Sequence, residues 1–269
     1  MRLSVWLVAA MIRGAWADAP VVVLPVKLRG NYPLVTVQIL GQDVPLVFDS
    51  GNSGSVSLTQ AVIDRVKAVP TGEISRGIDA QGNVIDYPKF KIPRLQLGSV
   101  VFNDVVAELD VHDPSYPPDQ VGQQGFLGTS LLKGYEVVLD YPHARITLVP
   151  PGETSPAAAC KGAEVPFLSP WHGEPVTEGD IDLGHLTLWW DTGTPTAVLS
   201  RRFIDTARVH PSGTDVASKH LILGGVDFGP FAFQVWDVAF PFDGSIGYSF
   251  FSRHIVCMDF PNKKLVIPH

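Results

Sequence analysis

The chain has 269 residues, enough for one large domain or two modest ones, with a formal net charge of −7 and 45% hydrophobic residues. No Lys/Arg cluster tracks any face, which argues against nucleic acid as a partner; the mild acidity reads as solubility. Beyond the N-terminus no stretch approaches the roughly 20 apolar residues that cross a bilayer as a helix.

Residues 1–19 read as a signal peptide. Met1-Arg2 gives a short positive start, Leu3 to Ile12 an apolar core, and Ala17-Asp18-Ala19 a small-x-small cleavage site before Pro20. The mature protein is therefore expected to be secreted or periplasmic, with no membrane span after cleavage. Strand-like patterning follows. Val35, Val37 and Ile39 alternate with polar neighbours, and Val44, Leu46 and Phe48 continue the apolar run into Asp49-Ser50-Gly51. Thr59 to Val66 is the best helical stretch, with Thr59 as its cap. Ile74 to Tyr87 holds the turn-rich Asp79-Ala80-Gln81-Gly82-Asn83 between two strand-like runs, a β-hairpin. Asp113 to Pro118 is a stiff Pro-rich loop. Strand pattern returns at Ile146 and Leu148, and Pro150 to Ala159 reads as a linker. In the second half, Arg201 to Thr206 and Tyr248 to Arg253 are short helix candidates, as is Thr129 to Lys133 in the first.

The two halves repeat one another. Asp49-Ser50-Gly51 after Val47-Phe48 returns 142 residues later as Asp191-Thr192-Gly193 after Trp189-Trp190. Leu95-Gln96-Leu97-Gly98 returns as Leu221-Ile222-Leu223-Gly224, an offset of 126. Phe126-Leu127-Gly128 through Asp140-Tyr141-Pro142 to Pro150 aligns without gaps on Ser245-Ile246-Gly247 through Asp259-Phe260-Pro261 to His269, an offset of 119. Three blocks in one order indicate an internal duplication. The second half is shorter between its triplet and its Leu-Gly block, so it lacks most of the hairpin. The expected organisation is one unit over 20–150 and another over 151–269, mainly β with a few short helices.

Two carboxylates at matching places in two halves are suited to sharing one proton and activating water. Adjacent carboxyl groups cannot both ionise cheaply, so one pKa falls and the other rises. The ionised member takes a proton from water while its partner hydrogen-bonds the attacked carbonyl. Leu127-Gly128 and Ile246-Gly247 are expected to pack beneath the two Asp loops. One Trp of Trp189-Trp190 is expected in the core; the other is a candidate for lining a pocket. Cys160 and Cys257 form either one disulfide or two buried thiols. No His-x-x-x-His pair with a nearby Glu points to a metal, and no cofactor is expected.

The paired triplets, each followed by apolar-apolar-Gly, resemble the signature of aspartic proteases of the pepsin and retropepsin group, and the resemblance runs through nearly the whole mature chain. It implies a bilobal acid-protease fold of two duplicated β-barrel-like lobes, with Asp49 and Asp191 catalytic on the floor of a cleft. It implies that Ser50 and Thr192 brace the opposite loops, that Gly51 and Gly193 permit close approach, and that the next residues, Asn52 and Thr194, donate to the outer carboxylate oxygens. Thr194 fits; Asn52 departs but its amide can donate. Pro195 also departs and removes a backbone donor. The hairpin, with Asp79, Gln81, Gly82 and Asn83 at its tip, would be a flap over bound peptide. Holding both aspartates, the chain would act as a monomer on peptide or protein substrates. The alternative is a peptide-binding module that does not cut; a protease with one narrow cell-envelope target is a third reading.

Overall fold

The computed structural model describes residues 21–78, 82–111, 122–153, 160–168, 174–207 and 214–268. The signal peptide, the 113–118 loop, Asp79 and Gln81 at the hairpin tip, and most of the linker lie outside the described residues. Among the described residues three β-sheets carry the fold, and two of them are copies of one pattern.

In the first lobe, Tyr32–Ile39 pairs antiparallel with Gln42–Phe48, which runs parallel to Gly125–Leu127; that strand is flanked on its other side by Val56–Leu58. In the second lobe Val176–Ile181, Gly184–Trp190, Gly244–Ile246 and Val198–Ser200 repeat the arrangement with the same directions. The alternation in Val35-Val37-Ile39 and Val44-Leu46-Phe48 is an inward row: all six side chains are buried. Each Asp triplet thus leaves a core strand whose neighbour is the strand carrying the apolar-Gly motif of the same half.

The helices are short. Gln60–Val66 buries Val62, Ile63 and Val66. Thr59 sits at its N-cap position with extended backbone, but its side chain makes no cap hydrogen bond, contrary to the sequence expectation. The matching helix Arg201–Thr206 is capped by Ser200, whose hydroxyl accepts from the Phe203 N–H at 3.2 Å. The 129–133 segment forms only a 3-10 turn at Ser130–Leu132, whereas its counterpart Tyr248–Phe251 is α-helical. No described helix is long and apolar enough to cross a membrane.

The third sheet joins the halves, which a division at residue 150 does not anticipate. Its six strands run in the order Val22–Pro25, Arg145–Val149, Glu136–Asp140, Val256–Asp259, Lys264–Ile267, Ala163–Pro166. The repeated terminal blocks supply the four central strands. Glu136–Asp140 and Val256–Asp259 are antiparallel, with Val138 opposite Cys257. Those two positions are equivalent in the duplication, so the pseudo-twofold axis passes through that pair. Cys257 is bonded to Cys160, with Cα atoms 5.8 Å apart, which ties the end of the linker to the central strand of the sheet.

Strands Val69–Ile78 and Val84–Leu97 form the projecting hairpin of the first lobe. A side chain on Gly82, near its tip, would come within 3.0 Å of Ala239 in the second lobe. The hairpin therefore spans the cleft. Among the described residues at the matching place, the second lobe has the short Asp215–Ser218 strand, paired directly with Phe231–Trp236.

Candidate active site

The two triplets meet on the cleft floor. A Cβ on Gly51 would lie 2.6 Å from Asp191 Oδ1, and a Cβ on Gly193 would lie 2.7 Å from Asp49 Oδ1. Each glycine faces the carboxylate of the other half, so any side chain there would occupy the space the acid needs. The two carboxyl groups are within hydrogen-bonding reach of each other. Asp191 is buried and Asp49 half-buried.

Reciprocal bonds fix this approach. Ser50 N–H donates to Thr192 Oγ1 at 2.9 Å and Thr192 N–H to Ser50 Oγ at 3.0 Å. The hydroxyls pass the interaction on, Ser50 Oγ to the Trp190 carbonyl and Thr192 Oγ1 to the Phe48 carbonyl, both at 2.7 Å. Four bonds between fully buried groups lock the loops across the axis. Within each loop the triplet Gly N–H donates to its own Asp, Gly51 to Asp49 Oδ1 at 2.9 Å and Gly193 to Asp191 Oδ1 at 2.8 Å.

The apolar-Gly strands hold each loop from beneath. Asp49 N–H donates to the Leu127 carbonyl and Asp191 N–H to the Ile246 carbonyl. A Cβ on Gly128 would sit 2.4 Å from the Gly54 carbonyl, and one on Gly247 1.8 Å from that of Thr196. Both glycines are needed because the backbone of the Asp loop packs directly on them.

The symmetry breaks one residue after each triplet. Thr194 Oγ1 donates to Asp191 Oδ2. Asn52 does not do the same for Asp49. Its amide nitrogen turns to Ser57 Oγ at 3.4 Å, and its amide oxygen accepts from Gly54 N–H at 2.8 Å. The expected donation to the outer carboxylate oxygen is absent because the amide closes its own turn instead. The electrostatics follow. Burial, then the charge of Asp191, pushes Asp49 well above its ordinary 3.8, with only backbone N–H groups pulling it back. Burial also raises Asp191, but the Thr194 hydroxyl, Asp49 and the Gly193 N–H oppose that rise. The two acids titrate as a unit, and Asp191 alone of the two accepts a hydroxyl hydrogen bond from the residue after its triplet.

Three aromatic residues lie at or beneath the site. Trp190 is core: it is fully buried, donates from Nε1 to Thr177 Oγ1 at 2.8 Å and packs edge-on to Phe250. Trp189 is half-buried at the cleft floor, its ring against Gly51, and packs on Phe240 and Phe242 at 5.7 Å each. Tyr141 was not anticipated. It is buried beneath the braced loops, with its hydroxyl beside Thr192 but without a well-formed hydrogen bond, and burial raises its pKa well above the ordinary 10.0. The signal was in the repeat, where Tyr141 aligns with Phe260, which has no hydroxyl. Glu136, Cys160 and Cys257 cluster at metal-ligand range, but the cysteines are joined as a disulfide and their sulfurs are not free to ligate.

Residues 35–131 match a family model described as aspartyl protease. That span runs from the first inward strand row past Phe126-Leu127-Gly128, one copy of the duplicated unit. No curated protein sequence matches the chain. Among solved structures, the aspartic proteinase from Irpex lacteus is similar with a TM-score of 0.64 at 12% identity, over 93% of this chain and 97% of that one. Basic 7S globulin from soybean is similar with a TM-score of 0.57 at 13% identity, over 92% and 94%. At these identities the likeness is one of fold, and it extends through both lobes and the sheet between them. The chain has the bilobal fold of the pepsin-like aspartic proteases.

Proposed function

We propose that the protein is an aspartic endopeptidase that hydrolyses peptide bonds through a water molecule activated by Asp49 and Asp191. The observation that carries this reading is the meeting of two carboxyl groups from equivalent loops, braced across the axis at the base of a cleft. The Thr194 hydroxyl and Gly193 N–H stabilise a negative charge on Asp191, which makes it the base. Asp49 retains the proton and is the acid. Asp191 removes a proton from water as the oxygen bonds to the scissile carbonyl carbon. Asp49 protonates the carbonyl oxygen, giving a neutral tetrahedral diol. Collapse of the diol breaks the C–N bond: the nitrogen takes the proton held by Asp191, and Asp49 recovers its own from a diol hydroxyl. The hairpin over the cleft holds the peptide and limits water. Export to the periplasm or exterior and action as a monomer are part of the proposal, since both acids come from one chain.

Single substitutions test it. Asp49→Asn and Asp191→Asn should each abolish hydrolysis while thermal unfolding stays cooperative, and statine-containing inhibitors should bind the parent protein. Full activity in either variant would refute the shared-water mechanism. A second reading, peptide binding without cleavage, is favoured by the orientation of Asn52, which leaves Asp49 without a side-chain donor, and by Pro195. Mass spectrometry of a peptide library incubated at acidic pH separates the two, because only an enzyme produces new termini.

A further inference from the structure

Glu108 occupies the first-lobe wall of the cleft. It lies on strand Val100–Leu109, opposite Lys89 on one side and Ser57 on the other. Alternation places Ser75, Gly77, Ile85, Tyr87 and Glu108 on one face of the hairpin sheet. That face is half-buried, whereas Ile74, Ile78 and Val84 on the opposite face are 58%, 70% and 68% exposed. The half-buried face looks toward the first Asp loop. Ser75 Oγ, on the hairpin, donates to Glu108 Oε1. Oε2 lies 3.4 Å from where a Cβ on Gly54 would be, in the turn that Asn52 closes. Asn52 in turn contacts Ser57, the strand neighbour of Glu108.

The Glu108 carboxylate makes no ion pair among the described residues: no Lys, Arg or His lies within ion-pair distance of it. Lys89, directly across the ladder, pairs with Glu73 at 3.7 Å instead. A half-buried carboxyl held in place by a hydroxyl, with no cation at ion-pair distance, has acceptor capacity left for a cation delivered by a ligand.

The geometry points to Glu108 as a specificity residue: the subsite under the hairpin, beside the first Asp loop, takes a basic side chain, lysine or arginine, of the bound peptide. The Ser75 bond fixes Oε1, which leaves Oε2 to receive the ammonium or guanidinium group. This deepens the endopeptidase reading and rests on peptide binding in that cleft. Specificity of this kind comes from a polar group that an apolar ligand leaves unpaired.

The test does not require cleavage. Octapeptides with a central statine unit and apolar flanks would carry a single lysine, or norleucine as its uncharged match, at successive positions. Their affinity for the full chain and for Glu108→Gln would be read by fluorescence polarisation. At one position lysine should bind about tenfold tighter than norleucine, as expected for a hydrogen bond to a charged group. In Glu108→Gln that advantage should disappear, and in Glu108→Lys the same position should prefer glutamate. Melting curves of each variant confirm that it is folded. No lysine advantage at any position, an undiminished advantage in folded Glu108→Gln, or no binding by any peptide of the series overturns the assignment. A lysine advantage that depends on Glu108, without cleavage of the matching statine-free peptides, would sustain the subsite and sink the proteolytic reading. Cleavage with no lysine preference would do the reverse.

Discussion

Thr194→Val removes the hydroxyl donor to Asp191 while keeping nearly the same volume. The hydroxyl donates to Oδ2 of a buried carboxylate, and such charge-assisted bonds contribute about 1.5–3 kcal/mol. At about 1.36 kcal/mol per pKa unit, losing it should raise the lower apparent pKa of the dyad by about one to two units. That pKa governs formation of the singly ionised pair, the active form, so the acid limb of kcat/KM against pH should move upward by the same amount. The alkaline limb, set by loss of the last proton from Asp49, should move less. Thr194→Ser keeps a hydroxyl and should leave the acid limb near its parental position. The assay is a pH profile on a fluorogenic peptide, with melting curves at each pH to exclude unfolding. An unmoved acid limb in folded Thr194→Val, or an equal shift in Thr194→Ser, would refute the assignment of Asp191 as the ionised member.

The complementary change is Asn52→Ser, which offers Asp49 the hydroxyl it lacks; the alkaline limb should move to lower pH, and a limb that stays put would show that the serine does not reach the acid. Gly51→Ala should cut kcat by at least about a hundredfold, a loss of 2.7 kcal/mol or more, because its methyl would contact the Asp191 carboxylate at 2.6 Å, and steady-state kinetics reads this directly. Folded-state pKa values of Asp49 and Asp191 lie above the ordinary 3.8, so the folded protein binds protons more tightly than the unfolded chain. The resulting stability is fully present below that value and is lost as pH rises through the folded pKa values; the melting-temperature gap between the parent and Asp49→Asn should therefore shift toward the variant with rising pH. Replacing Cys160 and Cys257 together by Ala opens a closed loop with a sequence separation of 97 and should cost about 2–4 kcal/mol in denaturant unfolding.

The duplication made much of the site readable in advance. Gln42–Phe48 and Gly184–Trp190 coincide at the triplet offset, as do Val56–Leu58 and Val198–Ser200. The inward rows of those strands follow from local alternation, which is a property of the sequence itself. Long-range register is not. Nothing in Val137-Val138-Leu139 says that it pairs with Val256-Cys257-Met258 from the other half, so the shared sheet and the bond to Cys160 emerged only in three dimensions. Side-chain choice among several partners was equally hidden. Asn52 can donate to a carboxylate or close its own turn, and only the surrounding Ser57 and Gly54 decide between them. Tyr141 and Phe260 hold the same place in the repeated Asp-aromatic-Pro block, and the hydroxyl that distinguishes them is the informative part.

The pairing of Val138 with Cys257 carries one more consequence. In a dimer of two identical halves, the residue on the rotation axis confronts its own copy, and a thiol placed there would be obliged to face a second thiol. Once the halves are written in a single polypeptide, that constraint lapses, and each axial position becomes free to change alone. This chain has used the freedom: one half keeps a small aliphatic group, and the other supplies a sulfur that turns aside to fasten the connecting segment. A linear gene thereby does for the central seam what no symmetric assembly of equal subunits could do.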